Sequence, residues 1–226
     1  MRLMLALALC LPVPAEACRL ALLLAVDVSR SVDAQDYAIQ REGIVAALGA
    51  PEVRAAFLSG DPVALAVYEW SGRGFQEMVA DWRLIEGPGD LDAVAAVVGA
   101  RVQPARSLPT ALGRALEFGL RAMGGAPTCS ERVLDVSGDG RNNEGYSPAD
   151  IYARRDFGDL VVNGLAIGEH EADVAEYYRR EVIRGAGAFV EVAETQADFP
   201  AAIRRKLVRE ATPRVIGAAG AGPSGG

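Results

Sequence analysis

The sequence predicts an α/β fold with a mostly parallel β-sheet and one antiparallel edge strand. Short apolar runs alternate with amphipathic stretches along the 226 residues, which is the pattern of parallel strands joined by crossover helices. One connection breaks this pattern, because residues 71–74 read Ser-Gly-Arg-Gly between two strand-like runs. So short a connection predicts a hairpin, and an antiparallel strand of that kind is common at the edge of a parallel sheet.

The six strands are predicted from apolar runs bounded by turn residues. They cover residues 20–28, 63–68, 75–84, 132–136, 160–167 and 188–192. The helices are predicted over residues 34–58, 91–102, 110–124, 173–184 and 196–210, with a further short helix starting at Ser147 or Asp150. Asp33 is a plausible N-cap for the first helix, and Pro51 predicts a break within it.

Composition and charge restrict the class of protein. A hydrophobic content of 50% is enough for a globular core, and a net charge of −7 with no basic block argues against nucleic acid as a partner. Lys206 is the only lysine among 23 basic residues, which we attribute to codon bias.

The N-terminus has the features of a secretory signal peptide. Arg2 is followed by an apolar segment, two prolines and Ala15-Glu16-Ala17, a small-x-small cleavage pattern. The alternative is a first core strand or helix. Residues 1–17 are therefore predicted to be a leader, and a periplasmic or secreted location follows. Cys18 would then be the first mature residue, where a lipid anchor is conceivable, but Glu16 fits poorly with such a site.

The remainder divides into one domain and a tail. Beyond the leader there is no run of eighteen apolar residues, so no transmembrane span is expected. Residues 18–212 are predicted to form a single domain. Residues 213–226 are rich in glycine and alanine and cannot bury a core, so we expect a flexible tail.

Three loops carry oxygen-bearing side chains next to predicted strand or helix ends. Asp27, Ser29 and Ser31 follow the first strand, Thr110 precedes a helix, and Asp139 follows the fourth strand. Ligands collect at the carboxyl ends of strands in parallel sheets, and oxygen ligands suit Mg²⁺. Each part also has a purely structural explanation: the serines or Thr110 could cap a helix, and Asp139-Gly140 could be a plain turn.

These five residues resemble the metal-ion-dependent adhesion site of the von Willebrand factor type A (VWA) domain. That motif is Asp-x-Ser-x-Ser followed by a Thr and an Asp, and the order and spacing agree over residues 19–210. The segments around Asp27 and Asp139 look like a bacterial secreted subgroup of unknown function (DUF1194-like). The resemblance implies a Rossmann-like, doubly wound, six-stranded sheet with helices on both faces.

The resemblance also implies a function. It assigns Asp27, Ser29, Ser31, Thr110 and Asp139 as ligands of Mg²⁺, with Mn²⁺ as an alternative ion, some of them acting through water. Because most direct ligands would be neutral, the ion would stay electrophilic and could accept an Asp or Glu carboxylate of a partner protein. The resemblance therefore implies a binding domain that is not an enzyme. Gly138 and Gly140 are expected to let the backbone turn closely around Asp139.

Two cysteines remain after the leader, Cys18 and Cys129, and an even count in an oxidising compartment suggests one disulfide. They lie nine and ten residues before Asp27 and Asp139, respectively. In the strand order of the VWA family these two strands are neighbours, so the resemblance implies a disulfide at their amino ends. The alternative is two unpaired thiols.

Two other functions stay open. A metal-dependent hydrolase could use Asp27 as a nucleophile, but no lysine or glycine-rich cradle for phosphate follows any strand. A structural envelope protein could use the metal only for stability.

Several polar residues near the site could line its rim or simply be solvated, namely Arg30, Glu69, Trp70, Arg141, Asn142 and Asn143. His170 is interpreted as a surface residue, and Asp135 as a partnered buried carboxylate or an edge-facing one.

Overall fold

The computed structural model of the protein describes residues 18–104 and 108–213. The predicted leader, residues 105–107 of the loop before Thr110, and the predicted tail from residue 214 onward lie outside the described residues. The leader and the tail therefore stay predictions.

One six-stranded sheet forms the centre of the domain, and its strand order is β3-β2-β1-β4-β5-β6. The strands are β1 (Cys18–Asp27), β2 (Val63–Trp70), β3 (Gln76–Ile85), β4 (Cys129–Gly138), β5 (Val161–Ile167) and β6 (Val190–Ala193). All neighbouring pairs are parallel except β2 and β3. The predicted mostly parallel sheet with an antiparallel edge strand is confirmed.

Helices cover both faces of this sheet. They are α1 (Ala34–Gly49), α2 (Pro51–Phe57), α3 (Pro88–Gly99), α4 (Leu112–Met123), α5 (Pro148–Arg154), α6 (Val174–Tyr177) and α7 (Phe199–Ala211). Apolar side chains of α1, α2, α3 and α7 pack on one face, and those of α4, α5 and α6 pack on the other. Both faces of the sheet are therefore covered, which explains why the strands β1, β2 and β5 are mostly apolar, whereas the edge strand β3 is partly exposed and carries charged side chains.

Strand β1 lies in the middle of the sheet between β2 and β4. Its alternate side chains enter the two cores, with Leu22 on the α1 side and Leu23 on the α4 side. Asp27, the last residue of the strand, is completely buried. A carboxylate in that position needs partners, since burying an unpaired charge is costly.

The boundaries of α3 and β4 differ from the prediction, and the break at Pro51 agrees with it. Helix α3 starts at Pro88 because Asp90 turns back to accept hydrogen bonds from the backbone of Glu86 and Gly87. Strand β4 extends from Cys129 to Gly138, beyond the predicted apolar run. The chain does break at Pro51 as predicted, since α1 ends at Gly49 and α2 begins at Pro51.

The predicted helix over residues 173–184 is the largest difference. It consists of the four-residue α6 followed by a π-helical turn, Tyr178–Val182. At this widened turn the Tyr178 ring packs against Gly164 of β5. A Cβ atom added to Gly164 would lie 2.7 Å from the Tyr178 ring. Wide turns of this kind frequently occur at functional sites.

A disulfide joins Cys18 to Cys129 at the amino ends of β1 and β4. The two residues are direct partners in the parallel register, and their Cα atoms are 4.6 Å apart. The pairing implied by the family resemblance is confirmed. None of the helices in the described residues is both long and apolar enough to cross a bilayer.

Candidate metal centre

Three loops meet at the carboxyl edge of the sheet and bring the five predicted residues together. The loop after β1 carries Asp27, Ser29 and Ser31, the loop before α4 carries Thr110, and the loop after β4 carries Asp139. Because β1 and β4 are parallel neighbours, their carboxyl ends lie side by side. The backbone N–H of Arg30 also donates to the carbonyl of Leu108 over 2.9 Å, which joins the first two loops.

Hydrogen bonds link the side chains of this group in series. Ser31 Oγ donates to Asp139 Oδ1 over 2.7 Å, and the hydroxyl oxygens of Ser31 and Ser29 are 3.4 Å apart. Thr110 Oγ1 donates to Ser29 Oγ over 3.2 Å, and Asp27 Oδ1 accepts from the backbone N–H of Ser29 over 2.7 Å. Three hydroxyls and two carboxylates thus lie in one connected cluster.

The structural alternatives in which the two serines or Thr110 cap a helix do not hold. The N-cap of α1 is Asp33, whose side chain accepts from the N–H groups of Gln35 and Asp36, so the two serines do not cap the helix. Helix α4 has Ala111 at its N-cap and no side-chain cap at all, so Thr110 does not cap that helix. Their hydroxyls point into the cluster instead.

Two carboxylate oxygens in the cluster lack a hydrogen-bond partner among the described residues. They are Asp27 Oδ2 and Asp139 Oδ2, both buried. Burial and the neighbouring Asp139 carboxylate raise the pKa of Asp27 well above its ordinary value, and burial likewise raises the pKa of Asp139. A divalent cation would supply the missing positive charge and occupy the unpaired oxygens. The residues present therefore fit a metal ion with oxygen ligands.

The described residues contain no cluster of three or more His, Cys, Asp or Glu side chains arranged to hold a metal. A metal at this edge would therefore depend on the hydroxyls of Ser29, Ser31 and Thr110 together with the two carboxylates. Neutral oxygen ligands of this kind suit Mg²⁺ or Mn²⁺.

Gly138 leaves the space that Asp27 occupies. A Cβ atom on Gly138 would come within 2.8 Å of Asp27 Oδ2 and within 2.5 Å of the Tyr178 hydroxyl. The Tyr178 hydroxyl is buried, and the nearby carboxylates add to the effect of burial in raising its pKa. Gly140 differs from the expectation, because its φ is not positive and a Cβ there would meet its neighbours at 3.6 Å or more.

Asn143 fixes the position of Thr110. Its side-chain Oδ1 accepts from the backbone N–H of Thr110 over 2.8 Å, and its own backbone N–H donates to the Thr110 carbonyl over 2.9 Å. Asn142 Oδ1 accepts from the backbone N–H of Gly113 over 3.3 Å. The two asparagines therefore hold the loop after β4 against the start of α4.

Two of the candidate rim residues lie elsewhere. Glu69 and Trp70, at the end of β2, are both buried. Glu69 accepts from the Tyr37 hydroxyl over 2.7 Å and forms an ion pair with Arg101 at 3.0 Å. They belong to the interior of the domain, because the end of β2 is covered by α1 and by the segment after α3.

An open cavity of about 450 Å³ lies above the cluster. Its lining comes from all three loops and from a fourth, the loop after β5, and consists of Arg30, Ser31, Pro109, Thr110, Asp139, Gly140, Asn143, His170 and Glu171. His170 Nε2 is 3.7 Å from Asp139 Oδ2. His170 is exposed, as interpreted from the sequence, and it also faces the cluster.

Arg141 connects this fourth loop to the third. Its guanidinium forms ion pairs with Glu171, at 3.3 Å, and with Asp173. It also lies over the Tyr177 ring, 5.6 Å from the ring centroid. Arg141 thus holds the loop of His170 next to Asp139 and does not itself line the cavity.

A family model described as "Protein of unknown function (DUF1194)" matches residues 17–215. A sequence search of curated proteins finds no relative. Likeness to solved structures is confined to the fold, because sequence identity to each of those reported below is 16% or less.

Three solved structures illustrate this fold. A von Willebrand factor type A protein from Catenulispora acidiphila has a TM-score of 0.62 and 16% identity, over 86% of this chain and 43% of that one. Proximal thread matrix protein 1 from the mussel byssus, with a zinc-occupied metal-ion-dependent adhesion site, has a TM-score of 0.58 and 12% identity, over 86% and 48%. The pilus adhesin SpaC from Lactobacillus rhamnosus GG has a TM-score of 0.59 and 11% identity, over 86% and 30%. The chain spans less than half the length of each.

Proposed function

The chain belongs to the DUF1194 family and has the VWA fold, and on that premise we propose that it is a metal-dependent protein-binding domain of the periplasm or the extracellular space. In this proposal Asp27, Ser29, Ser31, Thr110 and Asp139 hold Mg²⁺ or Mn²⁺ at the carboxyl edge of the sheet. The ion then engages an Asp or Glu side chain of a partner protein.

The observation that carries the proposal is the pair of unpaired buried oxygens, Asp27 Oδ2 and Asp139 Oδ2, beside three hydroxyls that are already linked. Buried polar atoms in native proteins nearly always have partners. Among such partners a divalent cation is the one that also compensates two neighbouring negative charges. The same oxygen atoms are the ones that Mg²⁺ prefers.

The charges around the cavity favour an acidic ligand. Two carboxylates balance a divalent ion, and hydroxyls add no negative charge, so the bound ion would retain affinity for one more anionic oxygen. The cavity above it is lined by Arg30, His170 and Asn143, and by Glu171, whose charge is paired with Arg141. A carboxylate that entered there would contact the metal and have hydrogen-bond donors beside it.

The alternative of a hydrolase with Asp27 as nucleophile has less support. Asp27 is fully buried and is not one of the residues that line the cavity. Its Oδ1 already accepts a hydrogen bond from Ser29. The one lysine, Lys206 of α7, is buried against β4 and cannot serve a phosphate at this edge. A nucleophile must reach its substrate, and Asp27 is poorly placed to do so.

The extracytoplasmic location is supported by the Cys18–Cys129 disulfide. Stable disulfides form and persist in oxidising compartments and are rare in the cytosol. The adhesin and matrix proteins that share the fold agree with a binding role outside the cytoplasm.

The metal part of the proposal is tested by thermal unfolding with added Mg²⁺, Mn²⁺ or chelator. Because a ligand that binds only the native state stabilises it, metal at 100 times its Kd adds about 2.7 kcal/mol. Asp139→Ala should abolish the rise in Tm. Asp92→Ala, which removes an exposed partner of Arg54 far from the site, should retain it. A rise in the Asp139→Ala variant, or none in the wild type, contradicts the metal site.

The partner part is tested separately with an acidic peptide. Fluorescence titration of a labelled peptide with one Asp in an otherwise neutral sequence is compared in Mg²⁺ and in chelator. We expect binding only with the metal, and loss of binding when the Asp of the peptide is replaced by Asn. A protein that binds Mg²⁺ but none of a set of such peptides or envelope proteins would instead use its metal for stability alone.

A further inference from the structure

A second cluster of ionisable side chains lies inside the domain, on the sheet face that α7 covers. Asp135 projects from the middle of β4, while Lys206 and Glu210 project from α7. Their side chains are 2%, 0% and 1% exposed. Lys206 Nζ lies 3.1 Å from Asp135 Oδ1 and 2.9 Å from Glu210 Oε1. None of these groups takes part in the proposed metal site.

The basic residue of this cluster is a lysine in a chain that otherwise uses arginine. All other basic side chains, out of 23, are arginines. Arginine is the usual choice for a buried ion pair, since its planar guanidinium holds carboxylates at two points. A guanidinium cannot lose its proton in a protein, whereas a lysine amine can, and the amine is a nucleophile. The lysine at this position therefore has a chemical capacity that no other basic side chain of the protein has.

Aromatic and amide groups enclose the cluster. Lys206 Nζ lies 4.3 Å from the centroid of the Phe189 ring. Asn163 Nδ2 donates to Glu210 Oε1 over 2.7 Å, and Asn163 Oδ1 accepts from the Phe189 backbone N–H over 3.0 Å. These contacts fix Glu210 between the amine and the neighbouring strand, and they exclude water from the reacting groups.

The carboxylate of Asp135 lies close to the Lys206 amine, but its hydrogen-bonding capacity is not filled. Neither carboxylate oxygen of Asp135 has a hydrogen bond of normal geometry among the described residues, although Nζ is at ion-pair distance. Reacting atoms held about 3–3.5 Å apart in a fixed orientation gain a large rate advantage over free reactants. The amine lies 3.1 Å from Oδ1 of Asp135, next to the carbon that it would attack.

The charges in the cluster allow a neutral, reactive arrangement. Burial and the adjacent Glu210 raise the pKa of Asp135 to about 8, which favours the protonated carboxyl. Burial alone would lower the pKa of Lys206, but Asp135 and Glu210 outweigh it and raise that pKa. Transfer of one proton from Nζ to Glu210, along their hydrogen bond, gives a neutral amine beside a neutral acid. The total number of protons in the cluster does not change.

We propose that Lys206 and Asp135 condense into an intramolecular amide bond, with Glu210 as the proton-transfer group. Glu210 first takes one proton from the Nζ ammonium, and the neutral amine then forms a bond to Cγ of Asp135. Glu210 returns that proton to one carboxyl oxygen of Asp135, which leaves as water when its bond to Cγ breaks, and Glu210 then takes the surplus proton from Nζ. One water is released, Glu210 ends as a neutral acid, and no oxidant, metal or cofactor is consumed. The ammonium of Lys206 and the carboxylate of Glu210 thereby both lose their charge in the interior.

The test is the intact mass of the full chain, recovered from an oxidising compartment and then reduced and denatured. The wild-type mass should be lower by one water molecule than the mass of the same sequence without the bond. Trypsin should then release residues 133–141 joined to residues 206–209, because the amide blocks cleavage after Lys206. A wild-type mass equal to that of the unmodified sequence, with normal cleavage after Lys206, overturns the proposal.

Three variants sharpen the test. Lys206→Arg keeps the charge but cannot form the bond, so it should have its full sequence mass. Asp135→Asn should still form the bond but lose ammonia in place of water. Glu210→Gln keeps the shape of Glu210 without its proton transfer, and its chain should remain unmodified while circular dichroism shows native structure. Full modification of Glu210→Gln would overturn the assigned role of Glu210. The metal response of the wild type is measured independently, because this proposal does not rest on it.

Discussion

The hydroxyl of Ser31 donates to the carboxylate of Asp139 across 108 positions of sequence, over 2.7 Å. This hydrogen bond joins the loop after β1 to the loop after β4. A hydroxyl that donates its proton to Asp139 keeps its lone pairs for a cation, so the bond would orient Ser31 toward the proposed metal and would not compete with it. The two loops are thereby held in a suitable geometry by their own side chains.

Gly138→Ala should weaken metal binding sharply. The added Cβ would come within 2.8 Å of Asp27 Oδ2 and within 2.5 Å of the Tyr178 hydroxyl, so one of these groups must move. A displaced Asp27 lowers the affinity for Mn²⁺ by about 10–100-fold, the usual effect of disturbing groups that orient metal ligands. Isothermal titration with Mn²⁺ measures the change.

Gly140→Ala is the matched control for that substitution. Gly140 lies in the same loop, has no positive φ, and has room for a methyl group. We expect the Mn²⁺ affinity of this variant to be unchanged. Equal losses in the two variants would indicate that the loop needs flexible glycines in general, which contradicts the steric explanation.

His170→Ala should reduce the affinity of the proposed site for Zn²⁺ relative to Mg²⁺. The His170 Nε2 atom lies 3.7 Å from Asp139 Oδ2, so an ion placed between them could take an imidazole ligand. Imidazole suits Zn²⁺, whereas Mg²⁺ prefers oxygen. We expect Zn²⁺ affinity to fall by about 10–100-fold and Mg²⁺ affinity to stay the same, as measured by competition titration.

The control for His170 is Asp173→Ala in the same loop. Asp173 pairs with Arg141 outside the cavity, so its loss should leave the Zn²⁺ preference intact. If His170→Ala lowers the affinities for Zn²⁺ and Mg²⁺ equally, the histidine only shapes the loop and does not contact the ion.

Loss of the disulfide should lower stability without removing the metal response. The bond closes a loop with a sequence separation of 111, and the chain-entropy model assigns such a loop about 4–5 kcal/mol. Urea unfolding of Cys18→Ser/Cys129→Ser should give a smaller free energy of unfolding than the oxidised wild type. Reduced wild type should match the double variant, and a double variant as stable as the oxidised protein would refute this expectation.

Glu117→Gln should reduce the sensitivity of the fold to acid. Glu117 on α4 accepts hydrogen bonds from Arg155, at 2.6 and 2.9 Å, and from Arg114, at 2.5 Å. These arginines lower the pKa of Glu117 below its ordinary value of 4.5. A carboxylate with a lowered native pKa stabilises the fold above that ordinary value, and the stabilisation is lost as the pH falls through the native pKa.

The variant should therefore be less stable than the wild type by roughly 1–3 kcal/mol at neutral pH, with a smaller difference in acid. Urea unfolding between pH 7 and pH 3 measures the difference. Glu176→Gln, which removes an exposed partner of Arg179, serves as the control and should follow the wild type. A constant difference across the whole pH range would mean that ionisation of Glu117 is not the cause.

The sequence was informative wherever one apolar run or one short motif determined the structure. The run before Asp27 predicted the central strand, and the short hairpin connection predicted the antiparallel edge. The motif residues around Ser29, Thr110 and Asp139 do come together. These features are local, or follow from the rule that parallel strands end at one edge.

Contacts between distant elements were not predictable in the same way. His170 follows β5 and so belongs to the same edge of the sheet, but nothing in its neighbourhood indicated that it turns toward Asp139. The π-helical turn at Tyr178 has no signature in sequence. Lys206 was attributed to codon bias, and its contact with Asp135 depends on how α7 crosses the sheet, which no periodicity reveals.

The disulfide and the proposed metal site lie at opposite ends of the same two strands, β1 and β4. A partner that pulls on the ion would load both strands along their length, and the hydrogen bonds between them would be sheared together and not opened one at a time. The covalent bond at the far end would stop the strands from sliding past each other. Tension at the proposed binding edge would thus end at a covalent anchor.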